Sequence, residues 1–139
     1  MTAVNVNITI RSEADIVTAR QAAREMAVEA GLAGSNIALL ATAVSELARN
    51  ILEYARSGSI DVHLVENNGK RGIEVVARDE GPGIANIEMA MRDGFSTSGG
   101  LGLGLPGTRR MMDEFEISSR QGAGTTVVAV KWIPQGSMR

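Results

Sequence analysis

Residues 60–79 have the sequence IDVHLVENNGKRGIEVVARD, in which two runs of alternating apolar and polar residues flank a short turn. Such alternation is the period of a strand with one buried face. Asn68-Gly69 is a strong hairpin signal, because both residues tolerate the positive φ angles of a two-residue turn. The segment therefore predicts an antiparallel hairpin, with Asp79 at the end of its second strand.

A strand and a helix are predicted on the N-terminal side of this hairpin. Apolar residues also alternate with polar ones over residues 4–10, which predicts a strand. Ser12 is a suitable N-cap for a first helix, and Asp15 completes a capping-box pattern with it. Gly31 is a natural end for this helix, because glycine readily adopts the left-handed conformation of a helix C-terminus.

The second predicted helix is capped by Ser35 or Asn36 and ends near Gly58. It carries Glu46 and Asn50, which are one turn apart and therefore lie on one face. Such a pair is common on the solvent-exposed surface of a helix. The same residues could instead supply a carboxylate that accepts a proton and an amide oxygen that ligates Mg²⁺. The helix alone leaves both interpretations open.

The segment Asp79-Glu80-Gly81-Pro82-Gly83 directly follows the hairpin. Asp, Gly and Pro are common in turns, so a plain turn is one interpretation. In the other, Asp79 accepts a hydrogen bond from an exocyclic amine, while Gly81 and Gly83 bring the backbone against a flat ring. Adenine would satisfy this second interpretation.

Residues 96–105 have the sequence STSGGLGLGL, which predicts a lid loop rather than regular structure. Its amides, with the start of a helix behind them, could bind phosphate oxygens. Gly102, Gly104 and Gly107 match the pattern G-x-G-x-x-G, but no strand precedes them, which excludes a dinucleotide-binding fold of the Rossmann type. Neither lysine of the chain follows a glycine loop, so a P-loop is excluded as well.

The remaining pattern completes an α+β prediction. Residues 86–92 could form a short helix, and residues 105–114 a longer one, with Pro106 in its first turn. Residues 115–119 and 125–133 favour two closing strands. Together the elements predict a two-layer sandwich, a mixed β-sheet with helices on one face.

Composition limits the classes of function. The 139 residues, with a formal net charge of −2, predict one domain over residues 1–139 and give no general attraction to nucleic acid or anionic membranes. The absence of cysteine excludes disulfides, thiolate metal sites and a cysteine nucleophile. The longest mostly apolar stretch, residues 37–44, is too short to span a bilayer. We therefore expect a cytoplasmic protein, and we expect His63 to be an exposed surface histidine.

The order of these motifs along the chain resembles the GHKL ATPases. In that family they form the N box and the three glycine motifs of the Bergerat ATP-binding fold, here Glu46-x-x-x-Asn50, Asp79-x-Gly81-x-Gly83, the glycine lid and Gly122-x-Gly124-Thr125. Within the superfamily, SELARN at residues 45–50, GFSTSGGLG at 94–102 and MDEF at 112–115 resemble the serine/threonine switch kinases of bacterial stressosomes.

The resemblance implies ATP and Mg²⁺ as cofactors. It implies that Asp79 contacts the adenine amine, that Thr125 adds a contact near the adenine, and that Asn50 ligates Mg²⁺. Glu46 would act on the hydroxyl of an acceptor serine, as base or as orienting acceptor. The glycines implied in nucleotide binding are Gly81, Gly83, Gly100, Gly102 and Gly104.

The resemblance also implies partners. These are STAS-domain scaffold proteins, which carry the acceptor serine or threonine, and a metal-dependent serine phosphatase regulator that is activated by binding. Arg20, expected to be exposed on the first helix, is a candidate for the edge of the docking surface. Two alternatives stay open: an anti-sigma factor serine kinase of the same fold, and a nucleotide-gated module whose output is partner capture.

Overall fold

The computed structural model describes residues 5–83, residue 91 and residues 104–134, which form three helices and five strands. The strands are β1 (Asn5–Ile10), β2 (Gly58–Asn67), β3 (Lys70–Asp79), β4 (Glu114–Arg120) and β5 (Gly124–Ile133). The helices are α1 (Glu13–Ala30), α2 (Gly34–Tyr54) and α3 (Gly104–Met111). The predicted α+β class is confirmed.

The five strands form one sheet in the order β1-β2-β3-β5-β4, and every adjacent pair is antiparallel. The prediction of a mixed sheet is therefore wrong for these strands. The helical crossover after β3 does make β4 run parallel to β3, but β5 returns between them and separates the two.

The helices pack on one face of the sheet, and the core lies between the two layers, as predicted. Buried side chains of four strands meet buried side chains of α1 and α2 there, among them Ile10, Ile60, Val75, Ala129, Ala23, Leu40 and Leu47. Burying an aliphatic side chain of this size stabilises the fold by about 1.5–3 kcal/mol relative to leaving it exposed. In the part of the chain that the structure describes, no helix is long and apolar enough to cross a membrane.

The ends of α1 confirm the predicted capping residues. The Asp15 carboxylate accepts hydrogen bonds from the backbone amides of Arg11, at 2.8 Å, and Ser12, at 3.0 Å. The bond from Arg11 is the main reason why the pKa of Asp15 lies below its ordinary value. Gly31 ends the helix in the left-handed conformation, with φ of 91°.

The start of α2 differs from the prediction. Ala33 is the N-cap and the helix begins at Gly34, so Ser35 and Asn36 lie inside its first turn and do not cap it. The Ile37 amide donates to the Ala33 carbonyl at 2.9 Å, so the first hydrogen bond of the helix already begins at Ala33.

The end of α2 also comes earlier than the predicted limit near Gly58. The helix ends at Tyr54, and Arg56 turns the chain with a φ of 74°. Gly58 is already the first residue of β2, where a Cβ atom would collide with the Arg78 carbonyl oxygen. Close contact between strands, rather than the end of a helix, explains this glycine.

The helix predicted over residues 105–114 is α3, which is shorter at its C-terminal end. The ammonium group of buried Lys131 donates to the Met111 carbonyl at 2.8 Å and so ends the helix. The Asp113 carboxylate then accepts from the Trp132 amide at 2.7 Å, which leads the chain into β4. The helix predicted over residues 86–92 lies outside the described residues except for Met91.

The face of the sheet opposite the helices carries polar pairs across strands. His63 and Glu74 are joined by a 2.7 Å contact, and His63 is half-buried rather than exposed as predicted, because its strand neighbours cover it. Trp132 donates its indole N–H to Glu114 at 2.7 Å, and the Lys70 ammonium lies 4.9 Å from the centre of its ring. Trp132 pairs with Gly72 near the start of β3, whereas Asp79 is at the other end of that strand.

Candidate functional site

A row of residues crosses the end of the sheet at Asp79. In the strand register Gly58 lies opposite Asp79, Asp79 opposite Thr125, and Thr125 opposite Ser119. Residues directly opposite one another in antiparallel strands present their side chains on the same face. The hairpin, the motif after it and the closing strand therefore meet in one place, as the resemblance implied for Asp79 and Thr125.

Only one of the two carboxylate oxygens of half-buried Asp79 has a hydrogen-bond partner among the described residues. One oxygen, Oδ1, accepts a hydrogen bond from the Gly81 amide at 2.9 Å. The other oxygen has no hydrogen-bond partner within residues 5–83 and 104–134. A carboxylate fixed in this way can accept a hydrogen bond from a ligand amine without first reorienting.

Gly81 and Gly83 have packing roles that the sequence did not reveal. A Cβ atom on Gly81 would lie 2.6 Å from the Cβ of Ala55, just beyond the end of α2. Gly83 has a φ of 79°, and a Cβ there would collide with the Arg120 carbonyl oxygen. Because they lack a side chain, both glycines allow the Asp79 segment to pack closely against its neighbours. Their contact with an adenine ring stays a prediction.

The turn between β4 and β5 packs directly against the Asp79 segment. The Gly122 amide donates to the Pro82 carbonyl at 2.6 Å. Gly124 has a φ of 95°, and a Cβ on it would collide with the Asp79 carbonyl oxygen. The glycine motif after β3 and the one between β4 and β5 are far apart in the sequence, but they pack against each other and stabilise each other's conformation.

Ser119 is a site residue that the sequence analysis missed. Its hydroxyl lies 2.8 Å from the Thr125 hydroxyl and donates to the Gly124 carbonyl at 3.1 Å. This contact orients Thr125 beside Asp79. The turn at residues 121–123 could have revealed it, because counting outward from a hairpin turn gives the register of the two strands.

Glu46 lies on α2 with only 4% of its surface exposed, which contradicts the solvent-exposed alternative. No described residue donates a hydrogen bond to its carboxylate. Burial raises the pKa of Glu46 above its ordinary value, the Arg49 guanidinium opposes this rise, and Glu53 adds to it. A carboxylate on a buried residue, with a pKa raised mainly by desolvation, is typical of a functional group.

We predict that Glu46→Gln raises the free energy of unfolding at neutral pH. Because the folded-state pKa is above the unfolded value, charging Glu46 destabilises the fold increasingly as pH rises through that interval. Gln avoids this cost, so its advantage should be absent at low pH and complete above the folded-state pKa. Urea denaturation of both proteins between about pH 4 and about pH 8 measures it. A wild type as stable as the variant near neutral pH would contradict the prediction.

Asn50 is half-buried one turn after Glu46, and its side chain makes no hydrogen bond to any residue that the structure describes. Within those same residues no three His, Asp or Glu side chains converge on a metal position. Mg²⁺ commonly takes only one or two protein ligands and completes its shell with phosphate oxygens and water. A single amide oxygen is therefore compatible with a nucleotide-bound metal.

The glycines predicted to cover phosphates are only partly described. Gly100 and Gly102 lie outside the described residues. Gly104 is the first residue of α3, and α3 contacts α2, the helix that carries Glu46 and Asn50. Free amides at a helix N-terminus attract phosphate, which agrees with the predicted role of Gly104.

Arg20 is half-buried on α1 rather than exposed as predicted. It directly follows Ala19, which is completely buried in the interface of α1 with the rest of the core. Its position at the margin of that buried stripe explains the difference. Its contact with a partner protein stays a prediction.

The chain is similar to known proteins over most of its length. Residues 10–131 match the family described as the histidine kinase-like ATPase domain. The serine/threonine-protein kinase RsbT of Bacillus subtilis is 51% identical over 126 residues, which cover 91% of this chain and 95% of that protein. An anti-sigma F factor of Caldanaerobacter subterraneus is 37% identical over 103 residues, covering 70% of this chain and 71% of that protein.

A solved structure shares the fold. The RsbU and RsbW domains of a Mycobacterium tuberculosis protein match with a TM-score of 0.62 and 21% identity. The match covers 95% of this chain and 33% of that one.

Proposed function

Since the chain belongs to the histidine kinase-like ATPase domain family and is a serine/threonine-protein kinase within it, we propose that it transfers the γ-phosphoryl group of ATP to a partner protein in a Mg²⁺-dependent reaction. The acceptor is a serine or threonine hydroxyl. The observation that carries this proposal is Glu46, which is buried on α2 with a raised pKa and accepts no hydrogen bond from any described residue. It lies in a chain that is 51% identical to a serine/threonine-protein kinase.

The geometry at the end of the sheet supports the proposed nucleotide-binding residues. The Asp79 oxygen that has no partner among the described residues accepts from the adenine amine, and Thr125 adds a hydroxyl at the same place. The phosphates are bound by backbone amides around Gly100, Gly102 and Gly104, and Asn50 is a ligand of Mg²⁺. When bound, Mg²⁺ neutralises charge on the phosphate oxygens.

Glu46 accepts the proton of the acceptor hydroxyl. A bond forms between the hydroxyl oxygen and the γ-phosphorus, the bond from that phosphorus to ADP breaks, and the proton moves to the Glu46 carboxylate. A base is most effective when its pKa is near the working pH, so the raised pKa of Glu46 suits this role. The loose transition state of phosphoryl transfer makes positioning and charge neutralisation the larger contributions.

The proposed acceptors are STAS-domain scaffold proteins, and the proposed second partner is a metal-dependent serine phosphatase regulator. In this scheme the kinase switches between the two partners as phosphorylation proceeds. The support is the similarity to RsbT, together with the motifs at residues 45–50, 94–102 and 112–115 that resemble stressosome switch kinases. No role is proposed for nucleic acid or for a membrane.

A second candidate is an anti-sigma factor that phosphorylates a serine of its antagonist. The 37% identity to an anti-sigma F factor favours it, although that match covers less of the chain than the match to RsbT. The two candidates differ in what they bind besides a STAS-domain protein. A sigma factor should co-precipitate with the chain in one case and a phosphatase regulator in the other.

The direct test uses purified protein, γ-labelled ATP and Mg²⁺, with STAS-domain proteins and sigma factors of the same organism as separate substrates. We expect label on a serine or threonine of a STAS-domain protein and none without Mg²⁺. Nucleotide binding without any labelled protein would contradict the kinase and favour a nucleotide-gated binding module.

A further inference from the structure

Ser119 and Thr125 form a pair of hydroxyl groups beside Asp79. They lie opposite one another in β4 and β5, and their hydroxyl oxygens are 2.8 Å apart. Asp79 lies opposite Thr125 on its other side, in β3. Opposite residues of antiparallel strands have Cβ atoms about 4.5–5.5 Å apart, so one small ligand group can reach both Asp79 and Thr125.

This row of polar side chains lies on the side of the sheet that faces the helices. Ser119 alternates along β4 with Ile117, and Thr125 alternates along β5 with Val127, and both aliphatic side chains pack in the core. The next row toward the middle of the sheet consists of Ala77, Val127 and Ile117, whose side chains have no polar atom. Ser119 is therefore the polar side chain within the sheet that contacts the Thr125 hydroxyl.

The two contacts of Ser119 determine the direction of the hydrogen bond between the hydroxyls. Its oxygen is 3.1 Å from the Gly124 carbonyl oxygen, which can only accept. A serine hydroxyl carries one hydrogen, which goes to that carbonyl. Both contacts are then hydrogen bonds only if Thr125 donates its own hydrogen to Ser119. Thr125 consequently presents only lone pairs to a ligand.

We propose that Ser119 is a positioning residue that determines base specificity, because it makes the Thr125 hydroxyl an acceptor only. The oxygens of Thr125 and Asp79 then form a pair of acceptors, which matches the two hydrogens of the adenine amine. A base with a carbonyl oxygen at that place would face two acceptors. Ser119 acts through Thr125 rather than on the base. The inference rests on the proposed function in one respect, that the adenine amine faces Asp79 and Thr125.

The first arm of the test needs no nucleotide. A threonine hydroxyl proton is visible by NMR in water only when a hydrogen bond protects it from exchange. We expect such a signal for Thr125 in the wild type at low temperature, assigned by its absence from Thr125→Val. It should be lost in Ser119→Ala. Ser118→Ala is the matched control, since Ser118 is the exposed neighbour on the opposite face of β4, and it should keep the signal.

The second arm measures nucleotide affinities by calorimetry. Inosine triphosphate has a carbonyl oxygen in place of the adenine amine, and purine riboside triphosphate has only a hydrogen there. In Ser119→Ala the released Thr125 hydrogen can donate to the carbonyl, so inosine triphosphate should bind about tenfold more tightly than to the wild type. ATP affinity should stay within about twofold, because Thr125 can still accept. Purine riboside triphosphate should bind equally to both proteins.

Two further variants separate Ser119 from Thr125. Ser119→Thr keeps the hydroxyl and should retain the wild-type preference for ATP. Thr125→Val removes the acceptor, so it should weaken ATP binding without improving the binding of inosine triphosphate. Adding Ser119→Ala to Thr125→Val should then change neither affinity, because Ser119 has no hydroxyl left to direct.

Three results would overturn the inference. A wild type without a protected Thr125 hydroxyl proton would lack the hydrogen bond on which it depends. An unchanged affinity of Ser119→Ala for inosine triphosphate, in a protein whose wild type prefers ATP, would remove Ser119 from base specificity and leave the adenine site in place. An equal change for all three nucleotides would make Ser119 structural. If Ser119→Ala relaxes the preference but the wild type phosphorylates no protein, the proposed kinase activity fails and the role of Ser119 is upheld.

Discussion

Glu46→Gln is expected to lower the rate of phosphoryl transfer by about a hundredfold to ten-thousandfold, while ATP still binds with nearly wild-type affinity. Gln keeps the shape of the side chain but cannot accept the proton of the acceptor hydroxyl. Glu46 is the proposed proton acceptor and lies on α2, whereas the proposed adenine contacts, Asp79 and Thr125, lie at the end of the sheet. Initial rates with labelled ATP, and calorimetry for ATP binding, separate the two effects.

Glu53→Gln is the matched control for this prediction. It makes the same chemical change on the same helix, but Glu53 is exposed where Glu46 is buried. We expect it to retain most of the wild-type activity, because it leaves the Glu46 carboxylate in place and removes only one of the smaller causes of its raised pKa. Equal rates for wild type and Glu46→Gln would show that this carboxylate takes no proton in the reaction.

Asp79→Asn is expected to weaken ATP binding about tenfold to a hundredfold, which corresponds to losing a hydrogen bond worth roughly 1–3 kcal/mol. Asn can keep the contact to the Gly81 amide through its own oxygen, so the local turn should survive. The second polar group of the Asn side chain is an NH₂ donor, which cannot accept a hydrogen bond from the adenine amine. Calorimetric titration with ATP measures the loss, and thermal unfolding checks that stability is retained.

The same carboxylate should make the wild type prefer ATP to GTP. Guanine would present a carbonyl oxygen where adenine presents its amine, and two acceptors would then face each other. Glu80→Gln, which changes the exposed neighbouring carboxylate, should keep both the affinity and the preference. Equal affinities of the wild type for the two nucleotides would remove Asp79 from the adenine site.

Local sequence signals predicted the elements that are fixed by local physics. The turn at Asn68-Gly69 forms with φ angles of 54° and 81° and sets the register that puts Asp79 at the strand end. Asp15 and Gly31 were identified for the same reason, since capping depends on residues three or four positions apart. These features involve few residues and leave few alternatives.

Features that depend on the whole fold could not be predicted from local patterns. Glu46 lies among the consecutive buried residues 43–48, because α2 is covered by α1, α3 and the sheet. A simple amphipathic period assigns one exposed face to a helix and so does not reveal burial on several sides. The antiparallel sheet likewise depended on where β5 inserts.

The site residues also divide into features that local sequence predicts and features that depend on packing. The sequence pattern identified Gly83 and Gly124. The backbone atoms that a Cβ on them would meet, those of Arg120 and Asp79, lie in segments far away in the sequence, so the pattern could not reveal these contacts. Arg49 is adjacent to Asn50 in the sequence, yet its relation to Glu13 depends on how α1 packs against α2. Spacing along the chain can find such residues, but only the packing shows what each one contacts.

Trp132 is an intrinsic fluorescence probe of this protein. It is the only tryptophan of the chain and pairs with Gly72, seven residues along β3 from Asp79, about 23 Å at roughly 3.3 Å per residue. Its indole ring contacts Glu114 and Lys70, at the end of the sheet remote from the proposed nucleotide site. Its emission should therefore follow global unfolding and remain nearly constant on nucleotide addition, which lets denaturation curves of site variants be compared without a spectroscopic contribution from the ligand.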